Sequence, residues 1–193
     1  EKGSEIVKAL FGIGPKNQQT QDKLVYQFHG VGQSGFDIVS CQFAVHYFFQ
    51  NIDILRGFLQ NVSETCKLNG YFIGTAYDGE KIFDFLKNKQ KGETMSYYQS
   101  KGSETHKIWE VTKQYDREEF YPDETSLGYP IDIFQETINQ TFEEYLVHFG
   151  FFKEIMKEYG FELVTREQAR KLNLPNGTGT FVELYSKMVQ EVN

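Results

Sequence analysis

Cysteine is scarce in this chain, with two in 193 residues, Cys41 and Cys66. Two thiols at that spacing do not make a structural zinc site, which needs four ligands. Cys41 falls in an apolar strand candidate and Cys66 on the apolar face of a helix candidate, so both read as reduced core residues rather than a disulfide. Positive charge is also short, with 20 Lys and Arg against 27 Asp and Glu and a net charge of −7. That balance argues against a broad nucleic-acid-binding surface, which normally shows clustered Lys and Arg. It leaves room for contact with one nucleotide. The nearest approach to a basic run, Lys87-Asn-Lys-Gln-Lys91, reads as a solvated helix end. No apolar run is long enough to cross a bilayer, and the polar start Glu1-Lys-Gly-Ser-Glu5 has no signal-peptide core. There is no Walker-type phosphate loop and no Ser/His/Asp set in recognisable context. Asn176-Gly-Thr-Gly-Thr180 carries glycines but reads as a helix-capping loop.

What the chain has in quantity is aromatic residues. Eighteen Phe and twelve Tyr, within a hydrophobic content of 39%, suffice for a core. The length suggests a single domain over 1–193. Ser4 to Leu10 is a helix candidate capped by Ser4, Gly12 to Asp22 a polar loop, and Leu24 to Phe28 a short edge strand. The turn Gly30-Val-Gly-Gln-Ser-Gly35 leads into a strand over Phe36 to Cys41. Ile52, Leu55, Phe58, Leu59, Val62 and Cys66 recur at helical spacing, predicting an amphipathic helix over Asp53 to Lys67 stopped by Asn69-Gly70. Tyr71 to Thr75 is the next strand and Gly79 to Lys87 the next helix. This order implies a parallel sheet with right-handed crossovers. Beyond it, 88–140 reads as an insertion: a mobile loop over Asn88 to Lys107, broken at most by a short strand at Thr94 to Tyr98, then antiparallel strands at Ile108 to Lys113 and Ile131 to Phe134. Thr141 to Tyr159 has helical periodicity, Gly160 to Val164 reads as a strand, and Phe181 to Val192 as a final helix.

The densest chemistry follows the first buried strand, where Phe36-Asp-Ile-Val gives way to Gln42, Phe43, His46 and Tyr47. In an open α/β sheet, ligands bind just beyond the carboxyl ends of the strands. His46 could be a base, a metal ligand, a hydrogen-bonding group or a buried His satisfied by backbone. Phe43 and Tyr47 could be core, or could stack on a flat base. Gln42 can donate and accept, which suits a purine edge. Glu144 fits a capping box begun by Thr141; alternatively its carboxylate accepts two N–H bonds from a guanine edge. Tyr77-Asp78 follows the second strand and so also lies at the ligand edge, unless it is an ordinary turn with Gly79.

Three blocks, Ser40-Cys-Gln-Phe-Ala-Val-His-Tyr47, Asn69-Gly-Tyr-Phe-Ile-Gly-Thr75 and Glu144-Tyr-Leu-Val-His-Phe149, together resemble the mRNA cap (guanine-N7) methyltransferases, in that family's order and about its spacing. The match covers Phe36 to about Val164. The Lys/Asn/Phe/Tyr-rich texture is similar to the methyltransferase domains of large DNA virus capping enzymes. The resemblance implies an α/β, class I S-adenosylmethionine-dependent methyltransferase fold with a Rossmann-like sheet and an antiparallel insertion. The family's glycine-rich donor loop and its ribose-binding acidic residue find no match here, so the chain is expected to be the carboxyl-terminal part of such a domain, without its amino-terminal strands.

By the same carry-over, Gln42 and Tyr47 contact the methyl donor S-adenosyl-L-methionine, while Phe43, His46, Tyr47, Tyr77 and Glu144 border the cap guanine. The family often has Pro where this chain has Tyr77. No residue is expected to act as an acid or base, since guanine N7 carries its lone pair at neutral pH and catalysis is by positioning. The partners implied are the capped RNA 5′ end and other domains or subunits of a capping enzyme, with no membrane. The location implied is intracellular: the nucleus if cellular, the host cytoplasm if viral. A degenerate activator subunit of the same fold, or a class I methyltransferase with another substrate, stays open.

Overall fold

A computed structural model describes residues 2–16, 23–102 and 104–192. The chain divides into two compact units, 1–151 and 152–193. In the first, α1 (Lys2–Leu10) starts before the expected cap, so Ser4 lies inside it. Of the polar loop expected over Gly12 to Asp22, residues 17–22 fall outside the described residues. The edge strand expected at Leu24 to Phe28 is instead a helical turn, α2 (Lys23–Gln27). Among the described residues no strand pairs with it, and its backbone bonds locally, as when His29 N–H donates to Tyr26 O at 3.4 Å.

The glycine turn then delivers β1 (Phe36–Gln42), which runs parallel to β2 (Cys66–Thr75). Between them lie a 3-10 turn (Val45–Gln50) and α3 (Ile52–Thr65), whose Leu55, Leu59 and Val62 are buried as the helical spacing predicts. Two local expectations need correcting. Cys66 is not on the helix but opens β2, because α3 ends at Thr65, whose Oγ1 donates back to Asn61 O at 2.7 Å. Asn69-Gly70 does not stop a helix; it forms an excursion within β2. The ladder pairs Phe36 with Cys66 but Ile38 with Tyr71, and Asn69 takes φ +65° to make the detour. Both cysteines are free thiols.

After β2 comes α4 (Gly79–Phe85), capped by Asp78, which accepts from Lys81 N–H at 3.1 Å. The stretch expected to be a mobile loop is a hairpin of β3 (Thr94–Lys101) and β4 (Glu104–Lys113). Its ladder is reinforced by side-chain bonds, Thr94 to Thr112 at 3.1 Å and Ser96 to Glu110 at 2.9 Å. The polar composition that suggested mobility is the solvent face of a strand pair. β5 (Pro130–Gln135) and β6 (Gln140–Tyr145) complete an antiparallel sheet in the order β3-β4-β5-β6.

The helix expected over Thr141 to Tyr159 therefore exists only in its second half, as α5 (Phe149–Glu158). Thr141, Phe142 and Tyr145 are strand formers, and the ladder with β5 overrides the helical periodicity. The capping box expected at Thr141 and Glu144 does not form, since both are strand residues. The parallel pair with its helices and the antiparallel sheet make the chain an α/β protein, as expected. The antiparallel sheet lays its inner face on a cluster that includes Phe83, Leu86, Tyr129, Ile131, Ile133 and Leu146.

The second unit holds the rest of α5, then α6 (Arg166–Lys171) with a full capping box of Thr165 and Gln168, and α7 (Phe181–Val192). The glycine loop before α7 caps it, as expected: Glu183 N–H donates to Thr180 Oγ1 and Glu183 Oε2 accepts from Thr180 N–H. Gly160 to Val164, expected as a strand, has no strand pairing and runs as a turn and coil. No helix among the described residues is long and apolar enough to cross a membrane.

Candidate functional site

The site is built where β1 and β2 end. Phe43 leaves β1 at φ +50°, a left-handed conformation rare for a bulky residue and typical of over-determined functional turns. Thr75 at the end of β2 holds it: Phe43 N–H donates to Thr75 O at 3.1 Å and to Oγ1 at 2.8 Å. The turn that follows buries Val45, His46 and Phe49 and leaves Tyr47 on the open side. Phe43 and Tyr47 thus present exposed rings beside a buried imidazole, with Tyr47 edge-on to His46 at a centroid distance of 4.3 Å.

The facing wall is the β5–β6 hairpin. Antiparallel pairing sets Ile131 opposite Glu144, Ile133 opposite Phe142, and Gln135 opposite Gln140. Directly opposed residues share a face, so one face of the hairpin presents three such pairs. Together with Phe43, His46, Tyr47 and Tyr77, that face encloses a cavity of about 420 Å³ whose wall includes Ile133, Gln135, Gln140, Phe142 and Glu144. Tyr77 lies nearly parallel to His46 at 6.3 Å between centroids, and its hydroxyl accepts a hydrogen bond from the Gln135 amide nitrogen.

Two buried side chains inside this cavity carry polar atoms with no hydrogen-bond partner among the described residues. Glu144 is 8% exposed and its Oε2 is unpaired; His46 is 3% exposed and both ring nitrogens are unpaired. They lie 3.5 Å apart, yet burial outweighs their mutual attraction. It pushes Glu144 up to about 7 and His46 down to about 4. Near pH 7 the two are therefore a neutral imidazole beside a half-ionised carboxyl, not an ion pair. Burial, and secondarily the Glu144 charge, raises both the Tyr47 and Tyr77 phenols, so both stay protonated donors. A cavity with flat aromatic walls, one buried acceptor and unsatisfied polar atoms suits a planar heterocycle that carries N–H groups.

Five residues expected to border a substrate, Phe43, His46, Tyr47, Tyr77 and Glu144, all line this one cavity. Gln42 does not. It is exposed at the end of β1, where its amide nitrogen donates to Ser40 Oγ at 3.1 Å and its amide oxygen makes no hydrogen bond among the described residues. Asp78 proves to be the cap of α4. Sequence reasoning missed Ile133, Gln135, Ile138, Gln140 and Phe142. The period-two alternation Gln140-x-Phe142-x-Glu144 was the available signal, masked by treating that stretch as helix.

Comparison with known proteins identifies the family. The family model described as the mRNA (guanine-N(7))-methyltransferase domain matches residues 7–193. The "probable mRNA-capping enzyme" of Acanthamoeba polyphaga mimivirus is 33% identical over 133 residues, covering 67% of this chain and 11% of that protein. The "mRNA cap guanine-N(7) methyltransferase" of Saccharomyces cerevisiae is 31% identical over 131 residues, 67% of this chain and 29% of the yeast protein. Its namesake in Caenorhabditis briggsae is 47% identical over 58 residues, 30% of this chain and 15% of the worm protein. The chain thus spans less than a third of the length of each of these relatives.

Proposed function

Because the chain belongs to the mRNA (guanine-N(7))-methyltransferase domain family, we propose that its cavity seats the 5′-terminal guanine of capped RNA for methylation at N7, with S-adenosyl-L-methionine as donor. The observation that carries this is Glu144 Oε2, a buried acceptor with no hydrogen-bond partner among the described residues, in a cavity walled by aromatic rings. Guanine's Watson–Crick edge offers two neighbouring N–H donors, and a carboxylate accepts both at once. Adenine offers no such pair. Phe43, Tyr47 and Tyr77 stack on or border the base, and the neutral His46 offers a donor and an acceptor without bringing a second charge.

S-adenosyl-L-methionine supplies a methyl group already activated as a sulfonium. On the donor side, Gln42 offers an amide oxygen at the carboxyl end of β1, suited to an amino group, and Tyr47, five residues on, lines the cavity. The chain's own task is orientation. N7 needs no base to free its lone pair, and holding it in line with the methyl can supply roughly 7–11 kcal/mol of barrier reduction. As N7 becomes cationic, the Glu144 carboxylate at the opposite edge of the base is favourably placed to stabilise the charge. Capping chemistry of this kind operates inside the cell, on RNA held by the rest of a capping enzyme.

The test is calorimetric titration with a guanosine cap dinucleotide, an adenosine cap dinucleotide as control, and each repeated with S-adenosylhomocysteine present. Guanine-selective binding that is lost in Glu144→Gln is the expected result. A folded chain that binds both dinucleotides equally would overturn the proposal.

A further inference from the structure

The face of the antiparallel sheet that lines the cavity does not end there. Gln140 and Gln135, both in the cavity wall, oppose each other on β6 and β5. Gln135 in turn opposes Trp109 on β4, and Trp109 opposes Tyr97 on β3. These four side chains form one transverse row on a single face. At about 4.8 Å per strand, Tyr97 lies roughly 10 Å from Gln135. Further along that face Met95 and Val111 are packed against the core cluster, which includes Phe83 and Leu86 of the α4 region. α4 stops at Phe85, and beyond its end the row is left open.

Three rings meet at that opening. Tyr97 stacks on Trp109 at 6.1 Å between centroids with planes 20° apart, and Phe85 meets Trp109 edge-on at 6.0 Å. Phe85 is 47% exposed and Tyr97 49%. Rings this open are not a finished core. The charge around them also departs from the rest of the chain. Between Phe85 and Trp109 the sequence holds five lysines and two glutamates, a local excess of positive charge in a chain of net −7. Lys87, two residues after Phe85, is exposed. Exposed aromatic faces beside lysines are what single-stranded nucleic acid needs: rings for the bases and cations for the phosphates.

We propose that Phe85, Tyr97 and Trp109 form a stacking platform for the first nucleotides of the RNA that follow the capped guanosine. The platform is continuous with the guanine cavity through Gln135 and Gln140, so a strand whose terminal base sits in the cavity runs onto the rings along one sheet face. This rests on the cavity being the guanine seat, but it is tested separately. It also assigns a role to the exposed Lys87, which overall composition hides.

Trp109 is the single tryptophan of the chain, so its fluorescence reports on the platform directly. The chain is titrated with a guanosine cap dinucleotide, with the same cap on an eight-nucleotide RNA, and with the uncapped RNA, in parallel with Tyr97→Ala and Phe85→Ala. Both variants remove half-exposed rings, and circular dichroism and melting temperature verify that they fold. The capped RNA should bind more tightly than the dinucleotide and quench Trp109, which the dinucleotide should not. Losing one stacked ring should weaken the capped RNA about 5- to 150-fold, the equivalent of about 1–3 kcal/mol per base, while leaving dinucleotide binding unchanged. If the dinucleotide binds but the longer RNA gains nothing and leaves Trp109 unquenched, the platform is overturned and the guanine cavity stands. If the RNA quenches Trp109 while no guanine-selective dinucleotide binding is seen, the platform stands and the cavity assignment falls.

Discussion

His46 Nε2 lies 3.5 Å from Glu144 Oε2, each side chain almost fully buried, and neither atom has a hydrogen-bond partner among the described residues. Burial holds Glu144 at about 7. A guanine edge requires the carboxylate, so below that value a proton must leave before the base can bind. Guanine affinity should rise by about tenfold per pH unit as pH climbs toward 7 and level off above it. Calorimetry in buffers of different ionisation enthalpy should show proton release on binding below pH 7. Tyr47 and Tyr77, which face Glu144, remain protonated throughout this range because their own values are raised. In Glu144→Gln the pH dependence should vanish, and affinity should drop about 10- to 150-fold for a lost charged hydrogen bond of about 1.5–3 kcal/mol.

The same two groups pull stability in opposite directions with pH. Glu144, raised from the usual 4.5 to about 7, binds its proton more tightly when folded, so its contribution is present below 4.5 and is lost as pH rises to about 7. His46, lowered from 6.5 to about 4, releases its proton on folding, so its contribution is present above 6.5 and is lost as pH falls to about 4. Between 4.5 and 6.5 the slopes nearly cancel. Removing one partner should expose the other: His46→Asn should lose up to roughly 3 kcal/mol between pH 4.5 and 7. Glu144→Gln should lose stability as pH falls from 6.5 to 4. Urea melts at pH 4.5, 5.5, 6.5 and 7.5 measure both, and a flat profile in both variants would refute burial as the cause.

Gly79 couples the two halves of the site wall. It is buried at the start of α4, its N–H donates to Val147 O at 3.2 Å, and a Cβ there would stand 2.4 Å from that oxygen and 2.7 Å from Val147 N. Both neighbours are backbone and cannot swing aside. Gly79→Ala should therefore cost at least about 1–3 kcal/mol as overpacking. Because Val147 lies three residues beyond Glu144, it should also weaken guanine binding. The control is Gly57→Ala on α3, where no atom lies within 4 Å of the added methyl. There Ala should stabilise by about 0.5–1 kcal/mol through helix propensity.

What the sequence made legible was the half of the site carried by local signals. Phe43, His46, Tyr47 and Tyr77 follow strands whose apolar runs are self-evident, and their place at strand ends is a consequence of the α/β arrangement. The opposite wall depended on pairing between β5 and β6, which no local pattern specifies. Phe142, Tyr145, Leu146, Phe149, Phe152 and Met156 do recur at helical spacing, and only the ladder with Ile131 to Gln135 decides against a helix before Phe149. Glu144 was identified for its chemistry while its element was mistaken, since a carboxylate's suitability for guanine does not depend on the backbone that carries it. The β3–β4 hairpin was hidden for another reason: Lys, Ser, Gln and Glu on its solvent face resemble loop composition, and Tyr97 finds its meaning only opposite Trp109.

Gln135 and Tyr77 give the most local test of how the wall is held. The Gln135 amide donates to the Tyr77 hydroxyl from across the cavity floor, and it opposes Gln140 on the neighbouring strand. Among the described residues no other hydrogen bond holds the Tyr77 hydroxyl, although its ring lies nearly parallel to His46. Gln135→Ala should free the ring to turn. One neutral hydrogen bond is worth about 0.5–1.5 kcal/mol, so cap dinucleotide affinity should fall about 2- to 12-fold while guanine-over-adenine selectivity, which belongs to Glu144, stays intact. Tyr77→Phe removes the same bond from the other side and keeps the ring, so the double variant should be no worse than either single one. A double variant whose losses add would mean that Gln135 touches the ligand itself instead of steadying Tyr77.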